Sequence, residues 1–224
     1  MIFDLDDTLY PERRFGLSGF AAVARVVNER YGLPRRLAFT SLVKAYRGGR
    51  RSVALQALCE RFDLAADVVP ELVAVIRAHV PRLRLPRASR AALQALRPGW
   101  CLGVLTNGIA EVQGRKVEAL GLRPLVDRIV FAAECGSGQG KPDPAAFLTV
   151  SDQLGVPPER CVFVGDDLAR DIAGASRVGM ATIHIRRNGR GLRGRDEGDA
   201  VVSGVGDVPA VADRLIHLAV AHAH

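Results

Sequence analysis

The sequence predicts an α/β fold: a Rossmann-like, doubly wound parallel sheet with an all-helical module inserted after the first strand. Two patterns carry this expectation. Short apolar runs at 1–3, 101–105, 128–132, 161–164, 181–185 and 200–203 alternate with helical spacing from about Leu85 onward. Strands alternating with helices build a parallel sheet covered on both faces. Between residues 13 and 84, helical spacing runs on without a strand. The expected division is an α/β core of residues 1–12 and 85–224 and a helical module of residues 13–84.

The opening run Met1-Ile2-Phe3 ends at Asp4 and is followed by Asp6, Asp7 and Thr8, which reads as a buried strand opening into a polar loop. In the insert, Phe20, Val23, Val27 and Tyr31 form one helical stripe, stopped by Gly32 and Pro34. A shorter helix is expected over 37–46. Leu55, Leu58 and Phe62 form the next stripe, after the Gly48-Gly49 break. Val69, Leu72, Val73, Ile76 and Val80 form another, with Pro70 in the first turn and Pro81 after the end.

In the core, helix 87–97 leads through Pro98-Gly99 to strand 101–105 and then Thr106-Asn107-Gly108. Helix 109–120 stops at Gly121. Strand 128–132 leads to the glycine-rich loop 136–140 and Lys141. Asp143 and Pro144 suit the N-cap and first position of the next helix, whose apolar face is Phe147, Val150 and Leu154. Strand 161–164 runs into Gly165-Asp166-Asp167 and a helix carrying Ile172, Ala175 and Val178. Strand 181–185, a polar segment over 186–199 expected to be flexible, a short strand and a helix from Val208 follow.

The composition, 48% hydrophobic and 25% charged, is that of a globular chain. No apolar run reaches the roughly 18 residues that span a bilayer, and no signal peptide is expected. Cys59, Cys101, Cys135 and Cys161 are scattered, which suits a reducing cytoplasm and opposes a disulfide framework or zinc site. His222 and His224 fall in a tail expected to fray. The net charge is +7, and arginine makes up all but Lys44, Lys116 and Lys141 of the 31 basic residues. With 5% aromatics and no aromatic-basic interleaving, a solvated basic surface is expected rather than a nucleic-acid platform.

Polar residues collect where strands end: Asp4, Asp6 and Thr8; Thr106 and Asn107; Lys141 at a helix start; Asp166, Asp167 and Asp171. Right-handed crossovers bring such ends to one edge of a sheet, and ligands bind there. At an effective dielectric near 20, two carboxylates about 4 Å apart repel by roughly 4 kcal/mol. A hard cation such as Mg2+ relieves that repulsion.

DLDDT, LTNG, GKPDPAAF and VGDDLARD stand in an order and spacing that resemble the four motifs of the haloacid dehalogenase-like hydrolase superfamily. The helical insert resembles its C1-type cap. The pattern TNG, then Gln113 and Lys116, then KPDP resembles the nucleotidase and acylneuraminate-phosphate phosphatase branch. One departure is that only three residues precede Asp4, fewer than is common in the family.

The resemblance implies a cytoplasmic phosphomonoesterase, monomer or homodimer, acting on a small phosphorylated metabolite through an aspartyl-phosphate. Asp4 is then the nucleophile and Asp6 the general acid and base. Mg2+ is held by Asp4, Asp6 through its backbone carbonyl, and Asp166. Thr106, Asn107 and Lys141 bind phosphate. Asp171, and less directly Asp167, support the site, with favourable charge at a helix start as the alternative. Thr8 orients its loop and Asp7 caps a turn. Cys135, His79 and His184 are expected to be non-catalytic. The cap is expected to close over the site and read the organic part of the substrate. Its Arg13, Arg14, Arg47, Arg50 and Arg51 are candidate anion contacts, with solvated surface the simpler reading. Asp6 favours phosphate chemistry over dehalogenation, because members that cleave carbon–halogen bonds lack this acid. The alternatives are a dehalogenase or other enzyme on the same fold, or a silent binding protein. A nucleoside 5′-monophosphate is the first expected substrate, with a sugar phosphate or phosphoglycolate next.

Overall fold

The computed structural model describes residues 1–48, 53–186 and 198–221. Arg50, Arg51, most of the polar segment over 186–199, His222 and His224 lie outside them. The chain forms two compact units: Met1–Pro11 with Arg84–His224, and Glu12–Leu83.

The first unit holds six parallel strands in the order β3-β2-β1-β4-β5-β6. They are β1 (Ile2–Phe3), β2 (Gly103–Thr106), β3 (Arg128–Phe131), β4 (Val162–Gly165), β5 (Ala181–Ile185) and β6 (Ala200–Val202). Strand order steps outward on one side through β2 and β3 and on the other through β4, β5 and β6. The reversal falls between β1 and β4, where crossovers leave a crevice at the strands' carboxyl ends. Ile2 is level with Gly103 and with Phe163, and Phe3 with Val104 and Val164. Asp4, Thr106 and Asp166 therefore emerge at the same edge.

The unit's helices are α5 (Arg87–Leu96), α6 (Ala110–Leu120), α7 (Pro144–Leu154), α8 (Ala173–Arg177) and α9 (Val208–Ala221). Ile2, Leu105, Phe147, Val150 and Phe163 form part of one buried core. Phe147 and Phe163 meet edge to face with centroids 5.1 Å apart. Burying each ring contributes about 1.5–3 kcal/mol. As expected, α7 starts on an Asp143 cap: its side chain accepts from the Ala145 amide at 3.0 Å, and Pro144 follows at the first helical position. No described helix is long and apolar enough to cross a membrane.

The second unit contains α1 (Arg13–Tyr31), α2 (Arg35–Arg47), α3 (Ala54–Arg61) and α4 (Val68–Ala78). Phe20, Val23, Val27, Leu42, Leu55, Leu58 and Leu72 form its core. Two stripe residues depart from expectation. Tyr31 is 42% exposed and Val80 is 85% exposed. Helix α1 ends at Tyr31, where Gly32 turns left-handed (φ 68°), and α4 ends at Ala78, so Val80 leaves the apolar face. Arg13, Arg14 and Arg47 are exposed, consistent with solvated surface.

Candidate active site

Asp4 lies one residue beyond β1, and its amide still donates to the Val164 carbonyl at 2.9 Å. The chain then coils tightly. Leu9 donates to the Leu5 carbonyl at 3.0 Å, and Asp7 adopts φ 56°, a left-handed conformation that aspartate tolerates. This turn sends the first two carboxylates to different partners.

Asp4 is buried beside Lys141. Lys141 Nζ donates to Asp4 Oδ1 at 2.6 Å and pairs with Asp171 Oδ1 at 2.7 Å. It also reaches the Leu105 carbonyl at 3.2 Å. Asn107 fixes the lysine from behind. Its Oδ1 accepts from the Lys141 amide at 2.8 Å and its Nδ2 donates to the Lys141 carbonyl at 2.9 Å. Gly140, at φ +72°, permits this approach, since a Cβ there would lie 2.8 Å from Asn107 Oδ1. The Asn107 side chain thus positions Lys141.

Asp171 reaches Lys141 from the turn that follows Asp167, whose carbonyl accepts from the Asp171 amide at 2.9 Å. The helix expected after Asp167 begins as a π turn, Leu168–Ile172, with the Ile172 amide donating to the Asp167 carbonyl at 3.2 Å. Such wide turns recur at functional sites. Gly165 provides the space: a Cβ there would lie 2.5 Å from Asp171 Cβ and collide with the carboxylate.

Asp167, expected beside Asp171 in support of the site, is instead spent on its own turn. It accepts from the Ala169 and Arg170 amides at 3.0 and 2.8 Å and pairs with the Arg170 guanidinium at 2.7 Å. Those amides and that guanidinium outweigh partial burial and hold Asp167 below the ordinary carboxylate range.

The carboxylate oxygens of Asp4, Asp166 and Asp171 lie within 4.8 Å of one another. Burial, reinforced by Asp171 and Asp6 against the pull of Lys141, raises Asp4 to about 7. Burial and then Asp171, Asp7 and Asp167 raise Asp166 to about 6. Burial lowers Lys141, but Asp4 and then Asp171 overcome it and hold the ammonium above its usual value. Three carboxylates around one ammonium leave negative charge unmatched. Hard oxygen donors at this spacing fit a divalent cation such as Mg2+. The Asp6 carboxylate stands outside this trio, consistent with its being expected to offer only its backbone carbonyl.

Asp6 instead meets Lys116, Gln113 and Tyr10. Lys116 Nζ lies 2.9 and 2.7 Å from its two oxygens, Gln113 Nε2 2.9 Å from Oδ2, and Tyr10 Oη 2.6 Å from Oδ1. Gln113 Nε2 also donates to Thr106 Oγ1 at 2.9 Å and contacts the Asn107 carbonyl. Lys116 and Gln113 had carried only a branch resemblance. Their signal was available: residues 113, 116, 117 and 120 share one buried face of α6, and two of them are polar.

The remaining residues have lesser parts. Thr8 is fully buried. His184 Nε2 lies 3.3 Å from the Asp166 carbonyl. His79 belongs to the helical unit, bound through Nδ1 to the Ile76 carbonyl at 2.6 Å. Cys135 is a buried free thiol 3.7 Å from the Phe131 carbonyl.

A family described as haloacid dehalogenase-like hydrolase matches residues 1–179. Glyceraldehyde 3-phosphate phosphatase from Methanopyrus kandleri is 34% identical over 200 residues, covering 84% of this chain and 83% of that protein. N-acylneuraminate-9-phosphatase from Mus musculus is 38% identical over 128 residues, 56% of this chain and 51% of that protein. The solved structure of 2-haloacid dehalogenase from Pseudomonas syringae pv. Tomato DC3000 superposes with a TM-score of 0.67 at 27% identity, covering 96% of this chain and 97% of that one. With the matched span reaching from the Asp4 strand past Asp171, the chain belongs to the haloacid dehalogenase-like hydrolase family.

Proposed function

We propose that the chain is a Mg2+-dependent phosphomonoesterase of the cytoplasm, hydrolysing a small soluble phosphate ester through an aspartyl-phosphate on Asp4. The observation that carries this reading is the separation of two acids from one motif. Asp4 faces Lys141, Asp166 and Asp171, while Asp6 is held by Lys116 and Gln113. Two displacements at phosphorus need such a pair, one group to attack and another to move protons.

In the first step an Asp4 oxygen attacks phosphorus, the ester P–O bond breaks, and Asp6 gives a proton to the departing oxygen. In the second, water attacks the phosphorus of the aspartyl-phosphate, Asp6 takes the water's proton, and the bond between Asp4 and phosphorus breaks to release phosphate and restore the carboxylate. Asp4, Asp166 and the Asp6 carbonyl would hold the cation, which when bound offsets charge on the phosphoryl oxygens. Lys141 holds Asp4 in place and adds a positive charge beside the transferring group. Thr106 and the Asn107 amide would bind its oxygens from the same sheet edge.

The named phosphatase relatives favour a small sugar phosphate over a nucleoside 5′-monophosphate. Buried free cysteines support a reducing compartment. The likeness to a 2-haloacid dehalogenase supports a second reading, halide displacement by Asp4. A phosphate-release screen across sugar phosphates, nucleotides and phosphoglycolate, with Mg2+ or with chelator, separates the two. Chelator-sensitive release is expected. Metal-independent halide release from 2-haloacids, with no phosphate release, would replace the proposal.

A further inference from the structure

We propose that Lys116 and Gln113 are positioning residues for proton transfer by Asp6, an assignment that rests on phosphoester hydrolysis at this site. They stand nearly one turn apart on α6 and are 4% and 3% exposed. Lys116 Nζ spans both Asp6 oxygens at 2.9 and 2.7 Å. A buried ion pair adds little stability over an apolar pair of the same volume, so its physical return is orientation.

Gln113 adds a link. Its two amide hydrogens face three acceptors: Asp6 Oδ2, Thr106 Oγ1 and the Asn107 carbonyl. Its own Oε1 is buried with no hydrogen-bond partner. Oδ1 of Asp6 accepts from the Tyr10 hydroxyl and Lys116, and Oδ2 accepts from Lys116 and from the shared Gln113 amide. The same amide ties that oxygen to Thr106 and Asn107, so the proton donor is held in register with the residues placed to bind phosphate.

The test compares kcat/KM, which reports the phosphorylation step, on two leaving groups. 4-Nitrophenyl phosphate expels a phenolate that needs no proton, whereas the alkyl phosphate that the wild type hydrolyses fastest needs one. Lys116→Met and Gln113→Leu are expected to lower kcat/KM for the alkyl ester by about 100-fold and for the aryl ester by less than about tenfold. Gln113→Leu removes a neutral group and carries the comparison if Lys116→Met does not fold. Equal losses on both esters, or no loss on either, would overturn the assignment. A wild type inactive on every ester would instead overturn the phosphoesterase reading itself.

Discussion

Asp4 and Asp6 are two residues apart, and each meets a buried lysine, yet the two halves of the site differ in charge. Around Lys141, three carboxylates crowd one ammonium. Around Asp6, one carboxylate is gripped at both oxygens by an ammonium, an amide and a hydroxyl. The first half is short of positive charge and suits a cation. The second is furnished with donors and suits a fixed proton carrier. The same Asp–Lys element thus serves two purposes, according to what else is buried with it.

The largest change expected is Asp4→Asn, which removes nucleophile and ligand together. Phosphate release should fall to background while circular dichroism and melting remain those of a folded protein. Near-normal turnover would remove Asp4 from its role.

Next in size is Lys141→Met, which strands the acidic trio. Breaking a buried pair costs about 3–5 kcal/mol, or roughly 10 °C in melting temperature for a chain of this length. The drop should be measured in chelator at pH 7. It should shrink at pH 5, because Asp4 then takes a proton instead.

The pH dependence of the metal-free wild type follows from the same crowding. Asp4 and Asp166 have folded values of about 7 and about 6, both raised above the ordinary 3.8. A raised carboxyl favours folding when protonated, so its contribution is full below about pH 4 and lost as pH rises through about 6 to 7. Melting temperature in chelator should therefore fall between pH 4 and 7, and Mg2+ should remove most of that fall. A flat profile in chelator would break the contrast between the two halves.

Asp171→Asn and Gly165→Ala should each weaken Mg2+ binding about 10–100-fold by calorimetry, through loss or displacement of the Asp171 carboxylate. The smallest effect belongs to Arg170→Ala. Its pairing with Asp167 is solvent-exposed on the arginine side. Such pairs contribute within about 0.5 kcal/mol, so melting and metal affinity should hardly move.

The sheet was legible because strand ends announce themselves: an apolar run stops and acids, Thr-Asn-Gly or Gly-Asp-Asp begin. Asp4, Asp6, Lys141 and Asp166 could be singled out from those ends. What distinguishes Asp167 from Asp171 was not legible, because α periodicity cannot foresee a π turn or the space left by Gly165. Lys116 and Gln113 were half legible. Their spacing placed them on the inner face of α6, but a buried polar pair has no evident purpose until its partner, more than 100 residues away, is known.

The π turn has one further consequence. An α-helix advances about 100° per residue, so a turn wound one residue wider sets the bearing of everything after it. Deleting Ala169 would leave every charged group of the site in the chain and change only the count. With one residue fewer after Asp167, the segment would swing Asp171 away from Lys141. At this point the ion pair is a matter of counting, and a missing alanine should do the damage of a missing aspartate.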